Sequence, residues 1–380
     1  MKISLFEAMD KPERIKQIKL YRCPVKLKEP FIISLGKLEF ADNVIVVIQT
    51  SEGITGFGEC SPFQTIHGEN GDTCMTIGKL LAESLLGKDA LDIESCSFVM
   101  DRIIYGNTSI KSAFDIALYD IASQKAGLPL YRFLGGELNT ELITDYTVSL
   151  NSSDKMVDDA LKIIKEGFQI IKVKLGGKEE EDFLRIKSIR EAVGFEIPIR
   201  IDANQGWTVE TAIRILDRLQ IFNLQHCEEP VLRSSFMSLP EIRSKSKIPI
   251  MADESCFDHF DAMRLIKLKA CDLINIKLGK SSGIFKAKKI IDLAEKADIK
   301  LQAGGFLDSR LGFTAMAHVV LSSKQFLHID FDTPLMFNED PVSGGITYHS
   351  KGVIKIPETI GLGAFVSDDV LKLMKCIHVN

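Results

Sequence analysis

From Thr144 onward, short apolar runs alternate with amphipathic segments along the chain. Strand-like composition recurs at 144–150, 170–175, 198–203, 223–228, 248–253, 271–277, 299–303 and 326–331. Helical patterns such as Ser153–Glu166, Val209–Leu219, Ile284–Lys296 and Gly312–Ser323 lie between them. Parallel strands need a crossover, usually a helix, and eight such units in roughly 200 residues fit a closed (β/α) barrel better than an open doubly wound sheet. No Gly-x-Gly-x-x-Gly joins a strand to a helix. The pairs Gly135-Gly136, Gly176-Gly177, Gly304-Gly305 and Gly344-Gly345 read as turn glycines.

The first third has a different pattern. Ile15–Cys23 and Val44–Thr50 have strand composition, and Ser51-Glu52-Gly53 turns the second run back into Ile54–Cys60. Helical patterns follow at 72–86, 92–105 and 109–126, the last with Ile110, Phe114, Leu118 and Ile121 on one stripe. The connections near 31–42 and 61–71 read as loops long enough to move over something. The segment from Lys351 is too short for a domain and is expected to pack back on the first one. The expected fold is therefore α/β, a modified TIM barrel of (β/α)7β type with an α+β capping domain. That division gives a cap at 1–132, a barrel at 133–350 and a returning segment at 351–380.

Charge narrows the partners. The 380 residues carry a formal net charge of −5 with no long basic block, so nucleic acid and anionic membrane are poor partners and a small molecule is the default. Glu7 and Asp10 interrupt the opening apolar residues, which argues against a secretion signal. No apolar run reaches the roughly 18 residues of a membrane helix. The eight cysteines are scattered without a Cys-x-x-Cys pair, which suits a reduced cytoplasm better than zinc or redox chemistry.

In a barrel of this kind the working groups sit at the carboxyl ends of the strands. Those ends supply Lys172 and Lys174, then Asp202, Glu228, Asp253 and Lys277, at steps of about one strand-helix repeat. Lys172 and Lys174 project to one side of their strand, and neighbouring ammonium groups are expected to lower the pKa of at least one of them. Three converging carboxylates need a positive partner, and an all-oxygen set suits Mg²⁺, with Mn²⁺ as a substitute. In each acidic pair, Glu228-Glu229 and Asp253-Glu254, the first residue is read as the ligand and the second as structural support. Lys174 and Lys277 would face each other across the mouth. One would remove a proton from a carbon next to a carboxylate and the other return it from the opposite face, with the metal and Lys172 stabilising the enediolate between.

These residues also carry a resemblance. Lys172-Val173-Lys174, Asp202-Ala203-Asn204, Glu228-Glu229-Pro230, Ala252-Asp253-Glu254-Ser255 and Asp272 to Lys277 resemble the muconate lactonizing subgroup of the enolase superfamily. His328-Ile329-Asp330-Phe331-Asp332-Thr333-Pro334 is similar to the Asp-x-Asp signature of dipeptide epimerases, and Asp145 to Ser149 also matches that group. The resemblance implies a dipeptide substrate whose C-terminal residue is inverted by a two-lysine 1,1-proton transfer. Its carboxylate would meet the metal and Lys172, its amine Asp330 and Asp332, and Thr147 would hydrogen-bond to it. It implies L-Ala-D/L-Glu as the leading substrate, a role in murein peptide recycling, and a homo-oligomer.

The sequence departs from that pattern in two places. Related Ala-Glu enzymes tend to carry an arginine in the first capping loop, where this chain reads Ile33-Ser34-Leu35-Gly36-Lys37. Lys37 is the expected counter-charge for glutamate, although lysine lacks the bidentate fork. The loop after strand seven reads Gly304-Gly305-Phe306-Leu307-Asp308, where relatives often place a serine and a glutamate. This opens the alternative of an apolar or cationic dipeptide. His67 is read as a loop residue within reach of substrate, and His226 and Trp207 as structural. o-Succinylbenzoate synthase, muconate cycloisomerase and N-acylamino acid racemase share the triad and lysines, but their substrates have no free α-ammonium for Asp330 and Asp332. A Schiff-base aldolase would need one isolated lysine and no carboxylate triad. An inactive metal-binding scaffold is the non-enzyme alternative.

Overall fold

The computed structural model describes residues 12–138 and 141–380; Glu7 and Asp10 lie outside them. The capping region is built on an antiparallel sheet in the order Lys375–Val379, Ile15–Ile33, Gly36–Thr50, Thr55–Cys60. The returning end of the chain thus pairs with its beginning, Ile18 opposite Val379 and Arg22 opposite Lys375. Helices Gly71–Leu85, Ile93–Ile103 and Thr108–Lys125 follow.

The third helix departs from its one-stripe pattern, since every residue from Ser109 to Ser123 is buried. It is packed between the capping sheet and the barrel, so both faces are covered. Gly56 and Gly58 allow that approach, because a Cβ at either would run into the carbonyl of Ala117 or Ala113.

The segment 31–42, expected to be a mobile loop, is mostly strand. The first two strands continue to Ile33 and resume at Gly36, leaving a tight turn at Ser34-Leu35. Charged residues and Pro30 hide the strand pattern here, and a register irregularity between Lys26 and Phe31 interrupts the pairing. The 61–71 connection contains a helical turn, Gln64–His67.

The barrel strands are Tyr146–Val148, Ile171–Lys174, Ile199–Asp202, Leu224–Glu228, Ile250–Ala252, Leu273–Ile276, Lys300–Ala303 and Phe326–Ile329. They form one parallel sheet in sequence order. The Asp145 N–H, donating to Ile329 O at 3.3 Å, joins its two edges. Helices fill the seven intervals, and the eighth strand leads into a 3₁₀ turn, Thr333–Met336. The fold is a (β/α)7β barrel with a capping domain, as the strand and helix patterns indicated.

The capping connections are tied to the carboxyl ends of the strands. Leu150 N–H donates to Ile32 O (2.9 Å), Ser34 Oγ to Asn204 O (2.6 Å) and an Arg233 guanidinium nitrogen to Ile66 O (2.8 Å). No helix among the described residues is long and apolar enough to cross a membrane.

Candidate active site

Parallel register brings the site residues level. Lys174 stands opposite Asp202, and Asp202 opposite Glu228, on three adjacent strands. Lys172 Nζ lies 2.7 Å from Glu228 Oε2, 2.8 Å from Asp330 Oδ2 and 3.2 Å from Asp202 Oδ2. Lys174 Nζ lies 2.6 Å from Asp202 Oδ2, and Lys277 Nζ 2.6 Å from Asp253 Oδ2. All these side chains are buried. Lysines and carboxylates of the expected set therefore converge on one mouth.

Fixed donors hold the carboxylates. Asn275 Nδ2 donates to Glu228 Oε1 (2.7 Å), Gln302 Nε2 to Glu228 Oε2 (3.3 Å) and Asn204 N–H to Asp202 Oδ1 (2.9 Å). Lys280, fully buried, bridges the Asp253 side chain and carbonyl. Glu229 turns away, accepting from Asp253 N–H (2.7 Å) and the Ser255 hydroxyl. Glu254 accepts from Asn204 Nδ2 at 3.3 Å.

The charge balance corrects one expectation. Burial disfavours the Lys172 ammonium, but Asp330, Glu228 and Asp202 outweigh burial and hold its pKa well above the ordinary value. Carboxylates lie around the ammonium, so the predicted depression by Lys174 does not govern it. Burial likewise works against the Lys277 ammonium, and Asp253 and Glu228 reverse it. Glu228 itself is pushed up to about 7, by burial and then by Asp202, more than Lys172 offsets.

Asp202, Glu228 and Asp253 suit a hard divalent cation. They offer only oxygens, they are fully buried, and Asp253 Oδ2 has an ammonium nearby but no hydrogen bond of good geometry. Another carboxylate group, Asp145, Asp330 and Asp332, meets Lys172 through Asp330 and is the group among the described residues whose ligand atoms all lie within 4.8 Å of one another. Its oxygens are partly engaged. Asp145 pairs with Arg200 (2.7 Å), Asp330 with Lys172, and Asp332 Oδ2 accepts the Thr147 N–H (2.6 Å).

A cavity of about 30 Å³ opens between Lys174, Lys277 and Asp332. Phe31, Ile33, Phe63, Ile66 and Phe306 supply its apolar lining. This volume holds a water or two.

Lys37 does not join the group. It is exposed and pairs with Glu39 at 2.7 Å. Phe31 and Ile33 point into the cavity, and Lys37 is opposite Ile32, so strand alternation turns it outward. His67 is partly buried and lies outside the lining of this cavity, with Nδ1 accepting the Phe63 N–H at 3.0 Å. His226 is buried 4.9 Å from His328, and Trp207 donates to Asp182 at 2.9 Å.

Sequence reasoning did not assign Asn275, Gln302 or Lys280. The first two are polar residues inside apolar strand runs, a usable signal. Lys280 lies in a segment that reads as a turn and carries none.

The comparisons agree with this geometry. Residues 155–370 match the enolase C-terminal domain-like family model, and residues 16–135 match the mandelate racemase/muconate lactonizing enzyme N-terminal domain model. A D-Ala-D/L-Ala epimerase from Cytophaga hutchinsonii is 59% identical over 96% of this chain and 100% of its own length. A crystal structure of a dipeptide epimerase from that organism, complexed with Mg and D-Ala-L-Val, is 58% identical with a TM-score of 0.96, covering 97% of this chain and 100% of that one. An L-Ala-D/L-Glu epimerase from Bacillus subtilis is 38% identical over 92% of this chain and 96% of its own. With both domain models matched and relatives aligned nearly end to end, the chain belongs to the mandelate racemase/muconate lactonizing enzyme family of the enolase superfamily, among isomerases whose close members are dipeptide epimerases.

Proposed function

We propose that the protein is a Mg²⁺-dependent epimerase of dipeptides whose C-terminal residue is small and apolar. The carrying observation is the cavity wall of Phe31, Ile33, Phe63, Ile66 and Phe306, whose lining cations among the described residues are Lys172, Lys174 and Lys277. Each of those lysines already pairs with a carboxylate of the mouth.

Lys174 and Lys277 act as the two bases. The amine of one takes the α-proton and becomes an ammonium, while the ammonium of the other delivers its proton to the opposite face. Asp330 and Asp332 receive the substrate ammonium, and Thr147 fixes Asp332 through its N–H. Lys172 neutralises charge at the substrate carboxylate. Asp202, Glu228 and Asp253 hold the metal, which when bound supplies Lewis-acid stabilisation of negative charge on that carboxylate; Mn²⁺ meets the same oxygen set.

A glutamate side chain would need a counter-charge. Lys37 faces outward and is paired with Glu39, so L-Ala-D/L-Glu, and with it murein peptide recycling, is the less supported reading. The substrates in the names of the Cytophaga hutchinsonii relatives, D-Ala-D/L-Ala and D-Ala-L-Val, agree with an apolar residue.

The test follows α-deuterium uptake by NMR in D₂O with Mg²⁺, using Ala-Ala and Ala-Val with L- and D-alanine at the amino end against L-Ala-L-Glu. Exchange should be fastest with the apolar dipeptides and should stop on chelation. Fastest exchange with Ala-Glu would overturn the specificity, and exchange with no dipeptide would overturn the activity.

A further inference from the structure

Each opposed lysine has an aromatic ring over its ammonium, and the two rings come from different parts of the chain. Lys174 Nζ lies 5.7 Å from the ring centroid of Phe31, on the first capping strand. Lys277 Nζ lies 4.7 Å from the centroid of Phe306, in the loop after the seventh barrel strand. Both rings are buried and both line the cavity.

Neither ring is free to drift. The Phe306 N–H donates to Asp308 Oδ2 at 2.6 Å, while His67 meets the ring edge-on at 4.3 Å and Phe63 packs at 5.8 Å. Phe31 is paired in the hairpin with Leu38. A ring face within about 6 Å attracts an ammonium and so helps fix where it sits.

We propose that Phe31 and Phe306 are positioning residues, one for each base, holding Lys174 and Lys277 over opposite faces of the substrate α-carbon. The inference rests on the epimerase reading and adds to it a division of labour. Because each lysine serves one face, each ring governs proton exchange from one epimer and not from the other. A ring that only walled the cavity would alter binding of both epimers alike.

The experiment measures α-proton exchange in D₂O from the two epimers of one apolar dipeptide separately, in the unaltered protein and in F31L and F306L. Leucine keeps most of the volume and removes the ring. K174A and K277A identify the epimer that each lysine serves. F306L should slow exchange from the Lys277 epimer by about 3- to 30-fold, the range a cation-ring contact supports, and leave the other within about 2-fold. F31L should give the mirror pattern through Lys174. F31Y and F306Y, which restore a ring, should recover the lost exchange, and thermal unfolding of each variant identifies a folding defect.

Equal slowing of both epimers, unchanged exchange in both leucine variants, or no recovery with tyrosine would overturn the ring assignment while the epimerase reading stands. Absence of exchange in the unaltered protein would overturn the epimerase reading itself, and the ring assignment with it.

Discussion

At the barrel mouth buried carboxylates face lysines; at the seam between cap and barrel they face neutral N–H groups. Glu59, at the end of the third capping strand, accepts from Ser309 Oγ (2.8 Å), Gly312 N–H (2.8 Å) and Asn43 Nδ2 (2.8 Å), at the start of helix Arg310–Val320. Asp115, on the central capping helix, accepts the Ile284 and Phe285 N–H groups that open helix Ile284–Ala297. Asp120 accepts from Phe57 and Leu362. Each ties parts of the chain that are far apart in sequence, and none pairs with a cation at hydrogen-bond distance among the described residues.

The difference shows in acidity. Burial pushes Asp115 up to about 7 and Asp120 up to about 6, and it raises Glu59 as well, because neutral donors recover only part of the lost hydration. At the mouth burial acts equally, yet Lys172 and Lys174 bring Asp330 down to about 2, and Lys277 and Lys280 hold Asp253 below the usual range. Equal burial thus gives weak acids at the seam, where the partners are dipoles, and ionised ones at Asp330 and Asp253, where lysines outweigh it; Glu228 stays at about 7 because Asp202 adds like charge to its burial. The carboxylates of the seam serve as acceptors that join distant segments, whereas those of the mouth stand against ammonium groups.

The largest break in this comparison should come from D253N. Removing that charge leaves Lys277 and Lys280 buried without their main counter-ion, which costs about 3–5 kcal/mol when one partner of a buried pair is lost. Denaturant unfolding should show that loss, together with the disappearance of epimerisation. Wild-type stability would mean that the mouth relaxes as readily as the seam.

E59Q should cost less. Glutamine keeps one acceptor oxygen but turns an NH₂ toward N–H donors, a mismatch of about 1–3 kcal/mol. It should not change which epimer exchanges faster, since Glu59 touches neither Lys174 nor Lys277. A loss larger than that of D253N would reverse the ranking of the two regions.

The two regions also differed in how far the sequence disclosed them. Lys172, Lys174, Asp202, Glu228, Asp253 and Lys277 were legible because a repeating strand-helix unit places each at a strand end, and the barrel follows from that repeat. Lys37 was misplaced because nearness in sequence to a loop said nothing about which side of the hairpin it takes. The seam acids had no signature at all. Asp115 and Asp120 fall within an ordinary helical pattern, and the N–H groups they accept from belong, for Asp115, to a helix more than 160 residues away. Lys280 and the aromatic cover of Lys174 and Lys277 were hidden for the same reason: side-chain pairings between distant segments leave no periodicity to read.

The smallest effect should come from D115N, and it is confined to pH dependence. Both N–H groups reach Asp115 Oδ2 while Oδ1 has no partner, so an asparagine oxygen can accept both. At pH 5 Asp115 is mainly protonated in the folded protein, and the substitution should change stability by less than ~1 kcal/mol. Its folded pKa of about 7 stands above the ordinary aspartate value, so between about pH 4 and pH 7 the folded chain binds the proton and the unfolded chain does not. Stability contributed by this group is therefore present at low pH and lost as pH rises through 7. D115N should flatten that part of the stability profile, and Asp120 and Glu59 should leave a residual slope of the same sign. An unchanged profile would mean that the Ile284 and Phe285 N–H groups keep Asp115 ionised, and that helix dipoles at the seam do what lysines do at the mouth.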